Sequence, residues 1–231
     1  MTTIRRGVDA AARRAIAARV EALFRASGAL RDGHFGLKSG RHGDAYVEKF
    51  AVLSDPAATS ELCGFWAAEH RTTAGRRSGV DVVAGPTMGG VILAFETGRQ
   101  LGTRAIFAEE VRDGDRPPRR EFRRGFRIEP GERVLIVDDI LTTGGSVLAM
   151  IPAVEALGGE IVGCHVLVDR SGQARATIES PVSGRRYPLR SLWRLSLPAY
   201  EAGAGTCPGC ATGEPLLSPG SAGAAPNLPP G

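Results

Sequence analysis

The sequence is short of several things, and each shortage closes off a class of function. No apolar run among its 231 residues approaches the roughly 18–20 needed to cross a bilayer. No secretory apolar segment marks the N-terminus either, so no membrane role is expected. Its glycine loops lack both the lysine of a Walker loop and the GxGxxG spacing of a dinucleotide fold. Cysteine is scarce. Without an export signal, Cys63, Cys164, Cys207 and Cys210 are expected as reduced thiols in a cytoplasmic protein. Excess charge is small too: the net +4 is carried mostly by arginine and suits a polyanionic small molecule as well as nucleic acid. What remains, 42% hydrophobic and 23% charged residues, is the composition of a soluble globular enzyme with room for one sizeable core.

The chain is organised around RVLIVDDILTTGGSV, residues 133–147. Val134 to Val137 is an unbroken apolar run of the kind found in a parallel strand buried on both faces. Asp138 and Asp139 stand at its carboxyl end, followed by Thr142, Thr143, Gly144, Gly145 and Ser146 and then a helix. Ligands of open α/β sheets bind outside the carboxyl ends of strands. A glycine turn into a helix presents free N–H groups and a positive dipole end to an anion. The loop therefore suits a phosphate monoester. The two acids would repel that phosphate and are better matched to sugar hydroxyls, a metal ion or a cationic transition state.

Elsewhere the chain repeats this device. Residues 9–26 have helical spacing and stop at Ser27-Gly28, and FGLKSGRHGDAYVEKF at 35–50 alternates as a hairpin with Lys38 near its tip. Asp55-Pro56 is a helix start, with the helix running to about His70. VDVVA then empties into GPTMGG at 85–90 and a helix over 91–101. Two strand–glycine loop–helix units predict two anion subsites side by side, as a substrate with two phosphate groups would need. TRAIFA at 103–108 is a further strand, leading into Arg112, Arg116, Arg119, Arg120, Arg123, Arg124 and Arg127. That segment reads as a hairpin or loop that could close over pyrophosphate, as a plain solvated basic loop, or as a nucleic-acid contact. After a helix over 147–157, strand 161–168 should lie parallel to 134–138 and deliver Arg170 to the same edge. There it would grip a substrate carboxylate or pair with Asp169. Residues 182–198 read as a final β segment, and 218–231 as disordered.

CPGC at 207–210 supplies two metal ligands where a structural zinc site wants four. Cys63, Cys164 and the four histidines show no ligand spacing. A structural role or none is the expectation, with zinc binding and redox chemistry as the lesser alternatives.

Together these motifs resemble the orotate phosphoribosyltransferases, members of the type I phosphoribosyltransferases. FGLKSGRHGDAYVE is similar to their N-terminal signature, GPTMGG to their pyrophosphate loop, VDDILTTGGSV to their phosphoribosyl site and VLVDR to their orotate-binding strand. The CPGC tail is similar to a branch ending in CPxC. The resemblance implies an α/β type I phosphoribosyltransferase fold: a central parallel sheet flanked by helices, with a small N-terminal hood. The divisions would be hood 1–54, core 55–200 and a Gly/Ala/Pro-rich tail 201–231. It implies transfer of a phosphoribosyl group from 5-phosphoribosyl 1-pyrophosphate (PRPP) to orotate in pyrimidine (UMP) biosynthesis, with Mg2+ carried by PRPP and no dedicated protein ligand. The expected assembly is a homodimer sharing a loop across the interface, without nucleic acid.

The implied roles fall on residues already singled out. Asp138 and Asp139 would hold the ribose hydroxyls and act with Lys38 as the catalytic set. PRPP would also meet Ile140, Leu141, Thr142, Thr143, Gly144, Gly145, Ser146, Thr87, Met88, Gly89, Gly90, Arg112 and Arg116, with a strained peptide at Pro86-Thr87. Orotate would meet Thr142, Arg170 and Lys38. The sequence departs from the pattern at two places. Glu109-Glu110 stands where many members have an Arg-Lys pair, and Met88-Gly89 where they place a lysine; Arg112, Arg116, Arg119 or Arg120 would have to compensate. The alternatives are a phosphoribosyltransferase for another base and a PRPP-sensing regulator. Both acids are kept and the first 34 residues are too short for a DNA-binding domain, which disfavours the sensor.

Overall fold

The computed structural model of the chain describes residues 10–37, 39–71, 79–114 and 118–218. Helix α1 (Ala10–Ala26) buries Val20 and Phe24 and ends where Gly28 adopts φ 71°. Strands β1 (Leu30–Gly36) and β2 (His42–Val47) form the expected antiparallel hairpin. The sequence reading ran this hairpin to residue 50, but the chain turns at Glu48 into a short helix, α2 (Lys49–Leu53), capped by the Glu48 carboxylate. Helix α3 (Pro56–His70) starts as predicted, with the Asp55 carboxylate accepting from the N–H groups of Ala57 and Ala58.

The two strand–loop–helix units follow. Strand β3 (Val82–Pro86) is buried throughout and passes into α4 (Gly89–Leu101), two residues earlier than the apolar run suggested. Strand β4 (Arg104–Val111) carries Glu109 and Glu110 inside it and turns back through β5 (Arg119–Glu121), so the arginine-rich segment is in part a hairpin. Strand β6 (Arg133–Leu141) reaches past the acids, which lie within the strand rather than after it. Helix α5 (Gly145–Glu155) follows, then β7 (Glu160–Asp169), β8 (Thr177–Glu179), β9 (Arg186–Arg194), the two-residue strand β10 (Ala199–Tyr200) and α6 (Pro208–Thr212).

Seven strands form one sheet in the order β5-β4-β3-β6-β7-β9-β8, parallel except for the edge pairings of β5 and β8. Strand β6 is buried on both faces along its apolar run, Val134 to Val137, as such a run in a parallel sheet must be. One face packs Phe24, Leu62, Trp66 and Leu93, the other Met150, Ile151 and Val154. Each such side chain contributes roughly 1.5–3 kcal/mol by leaving water.

The hood is a second sheet, β1-β2-β10. Its third strand comes from the far end of the chain, which the division at residue 54 did not foresee. The tail continues this return: α6 contacts β1, and Leu217 bridges Phe35. Residues 219–231, most of the segment expected to be disordered, lie outside the described residues.

Candidate active site

Strand order reverses between β3 and β6. From β3 the chain moves outward to β4, and from β6 it moves the other way to β7 and β9. The crevice at such a switch point is where open α/β sheets take ligands. Both glycine loops leave the sheet here, from adjacent strands in register at Val82–Val134 and Ala84–Ile136.

The acids face this crevice from a dry environment, with Asp138 5% and Asp139 4% exposed. Asp138 Oδ1 accepts from the Asp139 N–H at 2.8 Å, and Asp139 Oδ1 from Ile140 N–H at 2.7 Å. Burial, reinforced by the charge of Asp139, pushes the Asp138 carboxyl up to about 7, while Lys49 and Arg120 pull the other way. Lys49 Nζ lies 2.7 Å from Asp139 Oδ2. Lys38 and Lys49 are the only lysines in the sequence. Lys49 drew no notice in the sequence because it follows the hairpin pattern, on a helix too short to show periodicity.

The loop after β6 has the form expected of an anion cradle. Gly144 takes φ 91°, no side chain caps α5, and Thr142, Thr143, Gly145 and Ser146 are exposed at its mouth. Leu141 is buried and Ile140 half-buried. In the loop after β3 the glycines are required by close approach. A Cβ on Gly85 would sit 2.1 Å from Gly90 O, and one on Gly89 would sit 2.0 Å from Asp139 Oδ2. This loop therefore locks strand to helix and also abuts the second acid. Its cis peptide is Thr87-Met88, one bond beyond the Pro86-Thr87 position expected to be strained. Met88 itself is exposed.

Arg170 follows β7 at the same edge, and its N–H donates to Leu141 O at 2.7 Å. Its side chain is half-buried, and burial lowers its pKa from the usual arginine value. Arg170 Nε is buried without a hydrogen-bond partner, and no ion pair is formed among the described residues. The alternative pairing with Asp169 is not made: Asp169 faces Arg194 at 3.9 Å. Tyr46 of the hood stands near the Arg170 guanidinium. Lys38 and Arg116 lie outside the described residues.

A model of the phosphoribosyl transferase domain matches residues 53–191, which contain both loops and Arg170. An orotate phosphoribosyltransferase of Desulforamulus reducens is 38% identical over 200 residues, 86% of this chain and 94% of its own. The chain belongs to the orotate phosphoribosyltransferase family. One from Pelotomaculum thermopropionicum is 41% identical over 87% of this chain and 96% of its own. A crystal structure of the Mycobacterium tuberculosis orotate phosphoribosyltransferase in complex with Fe(III) dicitrate superposes with a TM-score of 0.56 at 27% identity. It covers 79% of this chain and 96% of that one. The type I phosphoribosyltransferase fold expected from the motifs is thus the fold observed.

Against the orotate phosphoribosyltransferase pattern, Glu109 and Glu110 are the departures to explain. Neither acid stands unpaired. Glu109 pairs with Arg124, and Glu110 with Arg112 at 2.7 Å and Arg120 at 3.4 Å. Of the three arginines named as substitutes that lie among the described residues, Arg120 is the one that reaches the loop: its guanidinium donates to Thr87 Oγ1 at 3.0 Å, and its side chain is only 9% exposed. The Arg112 side chain is 74% exposed and Arg119 is held by Asp113 and Glu121.

Proposed function

We propose that this chain transfers the 5-phosphoribosyl group of PRPP to orotate, giving orotidine 5′-monophosphate and pyrophosphate. The observation that carries the reading is the buried pair Asp138–Asp139 between two anion-receiving loops, with the unpartnered Arg170 Nε at the same sheet edge. The 5′-phosphate sits on Thr142 to Ser146, where the N–H groups and dipole of α5 favour negative charge. Asp138 and Asp139 accept the ribose hydroxyls and stabilise the positive charge that develops on the ring as the C1–oxygen bond to pyrophosphate breaks. Arg120 and Thr87 meet the pyrophosphate. Arg170 takes the orotate carboxylate, and Lys38 works on the pyrophosphate or orotate side. A neutral purine would leave these cations desolvated and unpaired, which favours an acidic base.

Among the groups at the crevice, the Asp138 and Asp139 carboxylates and the threonine hydroxyls are the oxygen donors a hard divalent cation prefers, so the site suits Mg2+ travelling on PRPP. Asp138 and Asp139 are the carboxylates that would face it, and when bound it neutralises charge on the leaving pyrophosphate.

The functional unit is a homodimer in the cytoplasm. Met88, Ile92 and Phe95 are exposed on one face of α4 at helical spacing, an apolar stripe beside the site that a second copy would cover. Among the described residues no helix is long and apolar enough to cross a membrane.

The test follows orotate absorbance with PRPP and Mg2+, with uracil, adenine and hypoxanthine in parallel. Magnesium-dependent loss of orotate alone supports the reading, as does a fall of several orders of magnitude in the doubly substituted Asp138→Asn, Asp139→Asn protein. Conversion of another base, or near-normal turnover of the double variant, overturns it. Sedimentation of wild type against Phe95→Glu tests the dimer.

A further inference from the structure

The CPGC segment lacked partners in the sequence because its partners are histidines of the hood. His34 and His42 lie 173 and 168 residues before the cysteines that they meet. In the fold the four ligand atoms of His34, His42, Cys207 and Cys210 lie within 4.8 Å of one another. Cys207 Sγ is 3.4 Å and Cys210 Sγ 3.6 Å from His34 Nε2, and Cys210 Sγ is 3.3 Å from His42 Nδ1. We propose that these four residues bind one zinc ion in a closed structural site that pins the hood hairpin to the C-terminal segment.

The distances carry the argument. Zinc–sulfur bonds of about 2.3 Å and zinc–nitrogen bonds of about 2.0–2.1 Å at a tetrahedral angle put N and S about 3.6 Å apart. The three N···S separations, 3.3, 3.4 and 3.6 Å, lie at that figure or up to 0.3 Å inside it. The two ring nitrogens, Nε2 of His34 and Nδ1 of His42, are 2.8 Å apart and would open by about half an ångström to admit the ion. Two thiolates and two imidazoles in a tetrahedral array select zinc over harder cations.

The surroundings are those of a ligand set. His34 Nδ1 is 2.8 Å from the Glu214 carbonyl, which fixes the proton on Nδ1 and leaves Nε2 bare toward the ion. His34 is 4% and Cys207 2% exposed, so little water competes. Gly209 is required between the cysteines, since a Cβ there would lie 2.4 Å from His34 Cγ. A register shift between Asp32 and Phe35, with Gly33 at φ 148°, breaks the alternation of β1 and turns His34 inward beside buried Phe35. The other two cysteines have a different character: burial pushes the thiols of Cys63 and Cys164 up to about 12, which makes them inert.

All four positions are filled by protein, so the ion has no open site for chemistry. Its work is mechanical. His34 and His42 stand on the paired strands β1 and β2, and Cys207 and Cys210 tie that hairpin to β10 and α6.

The experiment uses the full chain without a histidine tag, purified under reducing conditions, with metal measured by mass spectrometry. One zinc per chain is expected, retained in Cys63→Ser and Cys164→Ser and lost in Cys207→Ser with Cys210→Ser. Should that double variant fold poorly, the wild-type chain stripped by chelator and titrated with cobalt gives a second readout. Tetrahedral ligand-field bands and thiolate-to-cobalt charge transfer are then expected at one equivalent. Chains without stoichiometric zinc whose cobalt spectrum lacks the thiolate bands, or a Cys207–Cys210 disulfide in freshly reduced extracts, would overturn the proposal.

Discussion

Lys49 Nζ stands 2.7 Å from Asp139 Oδ2, which gives the buried acid pair its nearest cation. The lysine sits on α2, at the junction of hood and core, so the charge that pulls down the Asp138 carboxyl is carried by the element that joins the two. Replacing it with methionine removes the charge and keeps the length. Turnover should fall about tenfold, corresponding to roughly 1.4 kcal/mol. The acidic limb of the pH profile should also move upward, because the Asp138 carboxyl, which Lys49 pulls down, becomes harder to ionise. A profile unchanged in shape would disconnect Lys49 from the acids.

Asp138 predicts an unusual pH dependence of stability. Its carboxyl holds its proton to about 7 in the folded chain and to only about 4 when unfolded. Between those values the unfolded chain binds fewer protons, so stability falls as pH rises from about 4 to 7 and levels off above. Asp138→Asn removes this cost, and its melting temperature should exceed that of wild type by more at pH 8 than at pH 5. Equal differences at both pH values would mean that burial does not hold that proton. The same variant should lose most of its activity, so stability and function move in opposite directions at one residue.

Arg170 has a buried Nε with nothing to donate to. Arg170→Ala should raise KM for orotate by roughly 10–100-fold, the loss of a charged hydrogen bond of about 1.5–3 kcal/mol, with little change in KM for PRPP. Initial rates with each substrate varied separately decide it, and equal effects on both would remove the carboxylate role.

Arg120 and Arg112 both pair with Glu110, but only Arg120 touches Thr87. Arg120→Ala should weaken pyrophosphate and PRPP binding about tenfold or more, while Arg112→Ala should change them severalfold less. Product inhibition by pyrophosphate separates the two. A larger effect at the exposed Arg112 would favour the sequence-based choice.

The strand–loop–helix units were legible in the sequence because each is local: β6 and its loop span residues 133–146 and need no distant partner to be recognised. Asp55 as a cap and Arg170 at a strand end were readable for the same reason. Three features were not. Lys49 lies on a five-residue helix, too short for a periodic signal. Arg120 could not be chosen among its neighbours because the pairing of β5 with β4, not composition, aims it at Thr87. The histidines looked scattered because they meet the cysteines only after β10 joins the hood, and because a bulge hides the inward turn of His34. Sequence spacing reports ligand sets carried on one element; this one is spread over the two ends of the chain.

That the hood draws its third strand from Ala199–Tyr200 also sets an order of events during synthesis. The strands of the large sheet are all translated by Arg194, while the hairpin over 30–47 waits for the segment reaching Leu217 to emerge from the ribosome. Long-range pairings of this kind form late, after the cost of closing the intervening chain has been met. The hood is therefore completed after the core strands, and a chain cut before Ala199 would carry both glycine loops beside a hairpin that lacks its third strand.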